Sequence, residues 1–293
     1  MSLQNVSLLH SRAVLVRLFT SAFIGNPLDK TLTAEVENAH GIRALKKVSV
    51  RKKILQGDEL NAVSASLQRV RLLTEKLSAP WLDGGLRIVA SKSLIETKIK
   101  IEAAIREFEN TVDLFLAAYD DLIAKDRIAL NGTFRASDYP SKDRLRAKFA
   151  ARIEVLPLPS RDFRVEGISA AVCAELTAEM DRQTADRVAD AKKDLIGRIQ
   201  DRVATLAAKV SAMTDQSRFH ASTLGNVSEV CAEVKAANFD GDPMIDALAD
   251  KIEAAIKPLD AEAIRDNETA RAEAKQTAEN ALAEISAAMA GFC

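Results

Sequence analysis

The chain has 293 residues, 41 Lys and Arg against 42 Asp and Glu, and a formal net charge of −1; 47% of it is apolar, 28% charged and 4% aromatic. That composition excludes a disordered tail, a collagen-like fibre and a small disulfide-stapled scaffold, and it leaves length for two domains and a sizeable core. With 11 Gly and 7 Pro, a turn-rich all-β sandwich is disfavoured and long helices are expected.

Arg12 to Ile24 is rich in β-formers and ends at the turn signal Gly25-Asn26-Pro27. Its apolar run, residues 13–19, holds Arg17 and is about half the length needed to cross a bilayer, so it predicts a buried strand rather than a span or a leader. From Asp58 to Leu77 the period becomes helical, with Leu60, Val63, Leu67, Val70, Leu73 or Thr74, and Leu77 on one stripe. Ala79-Pro80 stops it, residues 81–85 read as a turn, and Leu86 to Val89 as a short strand. Ser93-Leu94-Ile95-Glu96 has the form of a capping box. Beyond it Ile101, Ile105, Phe108, Val112, Phe115, Tyr119 and Leu122 recur at spacings of three and four, predicting one helix of about 35 residues that stops at Asn131-Gly132. The seam suits either a central core helix or an intermolecular coiled coil, and Asp126 interrupts it where a further heptad would follow. Ser141 then caps a short basic helix running to about Arg152, residues 153–156 read as a strand held short by Pro157 and Pro159, and residues 163–165 as one more.

From Ile168 onward the pattern is helical, with Leu195, Ile199, Val203 or Leu206, Val210 and Met213 on one face of a long element. Asp242-Pro243 opens a helix through Ile256, Lys257-Pro258 breaks it, and a last helix follows. Eleven alanines in residues 258–293 predict that this last helix packs closely but weakly, or stays frayed until it meets a partner. The expected fold is mainly α, in the α+β class: a small sheet braced by the long central helix in the N-terminal half, and an all-helical C-terminal half.

The near-neutral total hides two halves. Residues 1–166 hold 27 Lys/Arg against 20 Asp/Glu, and residues 167–293 hold 14 against 22; 10 of the 13 aromatics also precede Gly167. These shifts predict a basic α+β domain over 1–166 and an acidic, Ala-rich helical domain over 167–293. Cys173, Cys231 and Cys293 form no CxxC pair and fit no zinc spacing, which points to free thiols and a reducing, cytoplasmic compartment. His10, His40 and His220 stand apart without a motif, and no GxSxG elbow, HExxH pair or phosphate loop is present. Glu109, Asp113, Asp120 and Asp121 read as a solvated charged row rather than a metal site, and Asp240-Gly241-Asp242 as a turn and cap rather than a calcium loop. Neither an enzyme nor a cofactor or metal is expected.

The run Lys46-Lys47-Val48-Ser49-Val50-Arg51-Lys52-Lys53 places five cations among eight residues with no acid. Lys46, Lys47, Arg51, Lys52 and Lys53 are therefore the candidate nucleic-acid contacts, since neutralising successive phosphates releases condensed counterions. Arg43, Arg69 and Arg71 would extend the patch. The alternative is that these cations pair with the acidic half of the same or a neighbouring chain.

One stretch carries a resemblance. Residues 79–87, Ala-Pro-Trp-Leu-Asp-Gly-Gly-Leu-Arg, precede the long helix with Phe108, Phe115 and Tyr119. Leu130-Asn131-Gly132-Thr133-Phe134, Asp138-Tyr139-Pro140-Ser141, Phe149, Pro157-Leu158-Pro159 and Asp162-Phe163-Arg164-Val165 follow in order. Over about residues 1–166 this set resembles an uncharacterised family of bacteriophages, prophages and plasmids. The resemblance implies a mobile-element protein of a bacterial cytoplasm, working beside replication or recombination functions or an ATPase partner, and it transfers no catalytic residue. Together these readings predict a non-enzymatic accessory protein that binds single- or double-stranded nucleic acid through its basic half and forms homo-oligomers through its helical tail, with no membrane partner. The competing expectation is a purely structural or partner-binding helical protein without nucleic-acid contact.

Overall fold

A computed structural model describes residues 9–41, 48–158, 167–214 and 218–291. The fold is mainly helical with one small antiparallel sheet, as the α+β reading expects. Its strands are β1 (Ala13–Ser21), β2 (Ala79–Leu82), β3 (Leu86–Ala90) and β4 (Ala150–Leu156), in the spatial order β2-β3-β1-β4. In β1, Ala13 lies opposite Ala90, Leu15 opposite Ile88 and Arg17 opposite Leu86. Ala79 faces Ile88 across the β2–β3 pair, and a bulge follows Pro80. The turn expected over 81–85 thus begins later, because Trp81 is a strand residue whose ring is buried. Pro80 is tolerated because β2 is an outer strand, where a missing N–H leaves no ladder bond broken.

The chain folds as two compact units that do not divide at Gly167. One comprises Met1–Arg17, Leu73–Ile99 and Glu154–Cys293; the other comprises Leu18–Leu72 and Lys100–Ile153. The expected halves are corrected to interleaved units, and the reason is the core of the first. Leu15, Trp81 and Ile88 from the first hundred residues share one apolar cluster with Leu195, Ile199, Phe239, Ile252 and Ile285.

The axis of that first unit is a helix of 42 residues, Ala170–Ser211, about 63 Å long at 1.5 Å per residue. Ser169 caps it, accepting from the Val172 N–H at 3.4 Å, and Leu195, Ile199, Val203, Leu206 and Val210 form its buried stripe. Helices Ser222–Ala237, Pro243–Ile256, Ala261–Asp266 and Glu268–Ala290 follow. The long helix packs against β2, against Ser222–Ala237 and against Glu268–Ala290. The last element is therefore two helices, separated where the Asn267 side chain caps the second by accepting from Thr269 and Ala270.

In the second unit the first helix, Lys30–Ala39, is capped by Asp29, and Asp58–Lys76 runs with Leu60, Val63, Leu67 and Val70 inward. All seven seam residues from Ile101 to Leu122 are buried within the chain, and Phe115 meets Phe149 edge-on at 5.8 Å. The central-core reading of the seam is thus the one realised, although the helix is two pieces. Leu94–Ala117 gives way at Ala118 to Tyr119–Leu130. Ser93 ends a 3-10 turn ahead of that helix, and its hydroxyl donates back to the Ala90 carbonyl at 3.1 Å. The basic helix after Ser141 is Lys142–Arg146 alone, since β4 already starts at Ala150. The strand expected over 163–165 lies outside the described residues.

Candidate nucleic-acid interface

The basic run meets the structure at residues 48–53; Lys46 and Lys47, with Arg43, lie outside the described residues. Residues 50–54 run antiparallel to residues 25–29. The Ile54 N–H donates to the Gly25 carbonyl at 2.8 Å, Lys52 N–H to Pro27 at 3.1 Å, and Asp29 N–H to Val50 at 2.9 Å. Gly25 is needed there. Its φ is +59°, and an added Cβ would sit 2.3 Å from the Ile54 carbonyl oxygen.

Extended chain sends successive side chains to opposite faces, and that alternation separates the three cations. Arg51 and Lys53 are exposed, the former donating to the Asn26 carbonyl at 3.1 Å. Lys52 points inward, with 5% of its side chain exposed, and its Nζ lies 2.6 Å from both Asp29 Oδ2 and Asp138 Oδ2 and 2.9 Å from the Thr133 carbonyl. The structure therefore removes Lys52 from the expected phosphate patch, because its ammonium is already enclosed by three oxygens. Asp29 also accepts from the Thr31 and Leu32 N–H groups at 2.9 and 3.0 Å. The Lys52 bond, with the Leu32 N–H next, holds the Asp29 carboxyl down at about 2. Burial opposes the charge on Lys52, but the two carboxylates outweigh it and its pKa is raised.

Beside this cluster Asp126, the residue that interrupts the seam, accepts from the Leu55 N–H at 2.6 Å and from the Tyr139 hydroxyl at 2.9 Å. Leu55 has a φ of 55°, so the bond to Asp126 fixes a backbone conformation that a leucine rarely adopts. Desolvation, and then the bond to Asp126, push the Tyr139 hydroxyl well above the usual phenol range.

The other expected extensions differ from one another. Arg69 faces Glu107 at 3.6 Å with both side chains exposed, while Arg71 donates to the Thr20 hydroxyl at 2.9 Å. Asp113 and Asp120 pair with Arg146 and Lys142, consistent with a charged surface row. In the first unit Asp240 and Asp242 do form a turn and cap, and both hold the buried Lys192 at 2.6 Å. No group of three or more His, Cys, Asp or Glu among the described residues is placed to hold a metal ion.

What the basic run leads to is a surface that sequence reasoning did not find. The Arg152 guanidinium lies over the Phe19 ring at 4.5 Å, and Lys148 Nζ lies over Phe23 at 5.2 Å. Ser21 donates to the Lys148 carbonyl at 2.9 Å, and Arg51 reaches the carbonyl of Asn26, three residues beyond Phe23. The available signal was the alternation Phe19-x-Ser21-x-Phe23 and the basic spacing of Lys148 and Arg152, but pairing these segments requires the sheet. No helix among the described residues is long and apolar enough to cross a membrane. Comparison with protein-family models, with curated proteins and with solved structures returns no match.

Proposed function

We propose that this is a non-enzymatic accessory protein that associates with nucleic acid through the second unit. The observation carrying the reading is that charge sign follows the structural unit. Leu18–Leu72 with Lys100–Ile153 holds 19 Lys/Arg against 14 Asp/Glu, a net of +5, whereas the other unit holds 22 against 28, a net of −6. A cationic face attracts polyanions whatever the total charge of the chain, because screening confines each unit's field to about 10 Å at 0.1 M salt. Exposed Arg51, Lys53, Lys148 and Arg152 supply the phosphate contacts. The resemblance of the first 166 residues to a phage and plasmid family favours a mobile element in a bacterial cytoplasm as the setting, with a replication or recombination partner or an ATPase nearby and self-association through the helical tail.

The test is fluorescence anisotropy of labelled single-stranded and duplex DNA, titrated with the full chain over a range of salt. Binding weakens with salt, and replacing Arg51 and Lys53 by alanine flattens the single-strand log–log slope by about 1.4, at about 0.7 per phosphate contact. Flat titrations at low salt reject the reading. The opposed charges of the two units then favour pairing between copies, which sedimentation would register as a salt-sensitive oligomer.

A further inference from the structure

We infer that the surface built on Phe19, Ser21, Phe23, Lys148 and Arg152 takes single-stranded nucleic acid, stacking unpaired bases beside its cation–aromatic pairs; the inference rests on the nucleic-acid reading above. Phe19 pairs with Arg152 and Phe23 with Lys148. The partners are four residues apart on each segment and run in opposite directions: Phe19 and Arg152 lie on the neighbouring strands β1 and β4, and Phe23 and Lys148 lie just beyond their ends. At the midpoints stand Ser21 and Ala150, both small and both exposed. Small exposed residues thus stand between the two cation–aromatic pairs.

The chemistry of the pairs selects the ligand. An arginine has a planar guanidinium on which bases stack, and Arg152 is exposed on the outer strand β4 with its guanidinium carbon 4.5 Å from the Phe19 ring centre. Lys148 over Phe23 is a point charge suited to a phosphate oxygen, and Arg51 continues the cationic line at Asn26. In a duplex the base faces are stacked upon one another and are not offered to side chains, so only the phosphates of a duplex meet this surface. In a single strand both are free, and base–aromatic stacking is added to the ionic attraction.

The experiment compares a labelled oligothymidylate with a hairpin duplex of equal length, both titrated with the full chain. The variants are Phe19→Leu/Phe23→Leu, Arg152→Lys and Arg51→Ala/Lys53→Ala. The leucine pair retains apolar bulk and every charge, and Arg152→Lys retains charge but removes the plane. Both are expected to lose about fivefold or more in oligothymidylate affinity, to leave hairpin affinity near wild type, and to keep the salt slope unchanged. The Arg51/Lys53 variant should weaken both ligands and flatten both slopes. Wild-type oligothymidylate affinity in both the leucine pair and Arg152→Lys, with weakening confined to the charge variant, overturns the stacking inference and leaves the electrostatic reading standing. Absence of binding by the wild-type chain to either ligand overturns the reading itself. Should the leucine pair melt early by circular dichroism, Arg152→Lys decides alone, since its side chain is exposed.

Discussion

In each unit a buried lysine lies between two aspartates, one of which caps a helix: Lys52 between Asp29 and Asp138, and Lys192 between Asp240 and Asp242. Taking an ammonium out of water is costly, and two carboxylates with a further hydrogen bond offset that cost only while all are present. Lys52→Ala leaves Asp29 and Asp138 without their cation and is expected to cost about 3–5 kcal/mol in urea unfolding, whereas Lys53→Ala, one position along and exposed, should stay within about 0.5 kcal/mol. The same cluster sets an acid limit. The Asp29 pKa is depressed in the folded state from 3.8 to about 2, so its contribution is fully present above about pH 4 and is lost as pH falls toward 2. Asp29→Asn keeps a competent cap but no longer titrates. The gap in melting temperature between wild type and Asp29→Asn should therefore close between about pH 5 and pH 2. Cys231 is the opposite case: burial, with Glu253 next, pushes its thiol up to about 11, which marks it as an apolar core group rather than a nucleophile.

At the scale of elements, the apolar seam from Ile101 to Leu122 survives the break at Ala118 because the break falls between seam positions and leaves all seven residues facing inward. Asp126 then ends the seam for a positive reason: it is a tether for the Leu55 backbone and the Tyr139 hydroxyl rather than a defect in a coiled coil. The alanine-rich helix Glu268–Ala290 is not frayed; it lies against both Ala170–Ser211 and Pro243–Ile256. Ala274, Ala278, Ala281 and Ile285 form its buried side, so its small residues serve close approach of helix backbones. Ala278→Leu is accordingly expected to destabilise by about 1–3 kcal/mol through overpacking, while Ala283→Leu, on the exposed side, should be near neutral because the two residues have similar helix propensity. Paired thermal and urea melts of the two variants check this.

For the whole molecule, the decisive fact is that the core of the first unit draws on both ends of the chain. A fragment ending at residue 166 would expose Leu15, Trp81 and Ile88, whose packing partners include Leu195 and Ile199. It is expected to bind a hydrophobic dye and to show red-shifted emission from Trp81, the single tryptophan, relative to the full chain. A cooperative melt with unshifted emission would restore a boundary near Gly167. The interleaving also relocates the charge. A linear division puts the basic surplus in the first 166 residues, but strands β2 and β3 and the start of β1 belong with the acidic bundle, and the cations concentrate in the unit made of Leu18–Leu72 and Lys100–Ile153.

The sequence by itself determined the helical class, the core stripe of the long helix, the caps at Ser141 and Asp242, and the seam, because each rests on contacts within a few residues and a period of 3.6. It also drew attention to the basic run that holds Lys46, Lys47, Arg51, Lys52 and Lys53, of which the structure leaves Arg51 and Lys53 exposed. It could not separate Lys52 from them, since a lysine in a charged stretch acquires partners only when residues 29 and 138 are brought beside it. Nor could it place Phe19 and Phe23 against Arg152 and Lys148, more than a hundred residues away. Those decisions, like the sharing of one core by residues 9–17 and 188–285, were made by the tertiary structure alone. Strand pairing and buried ion pairs are non-local, and their energies depend on which distant groups are desolvated together.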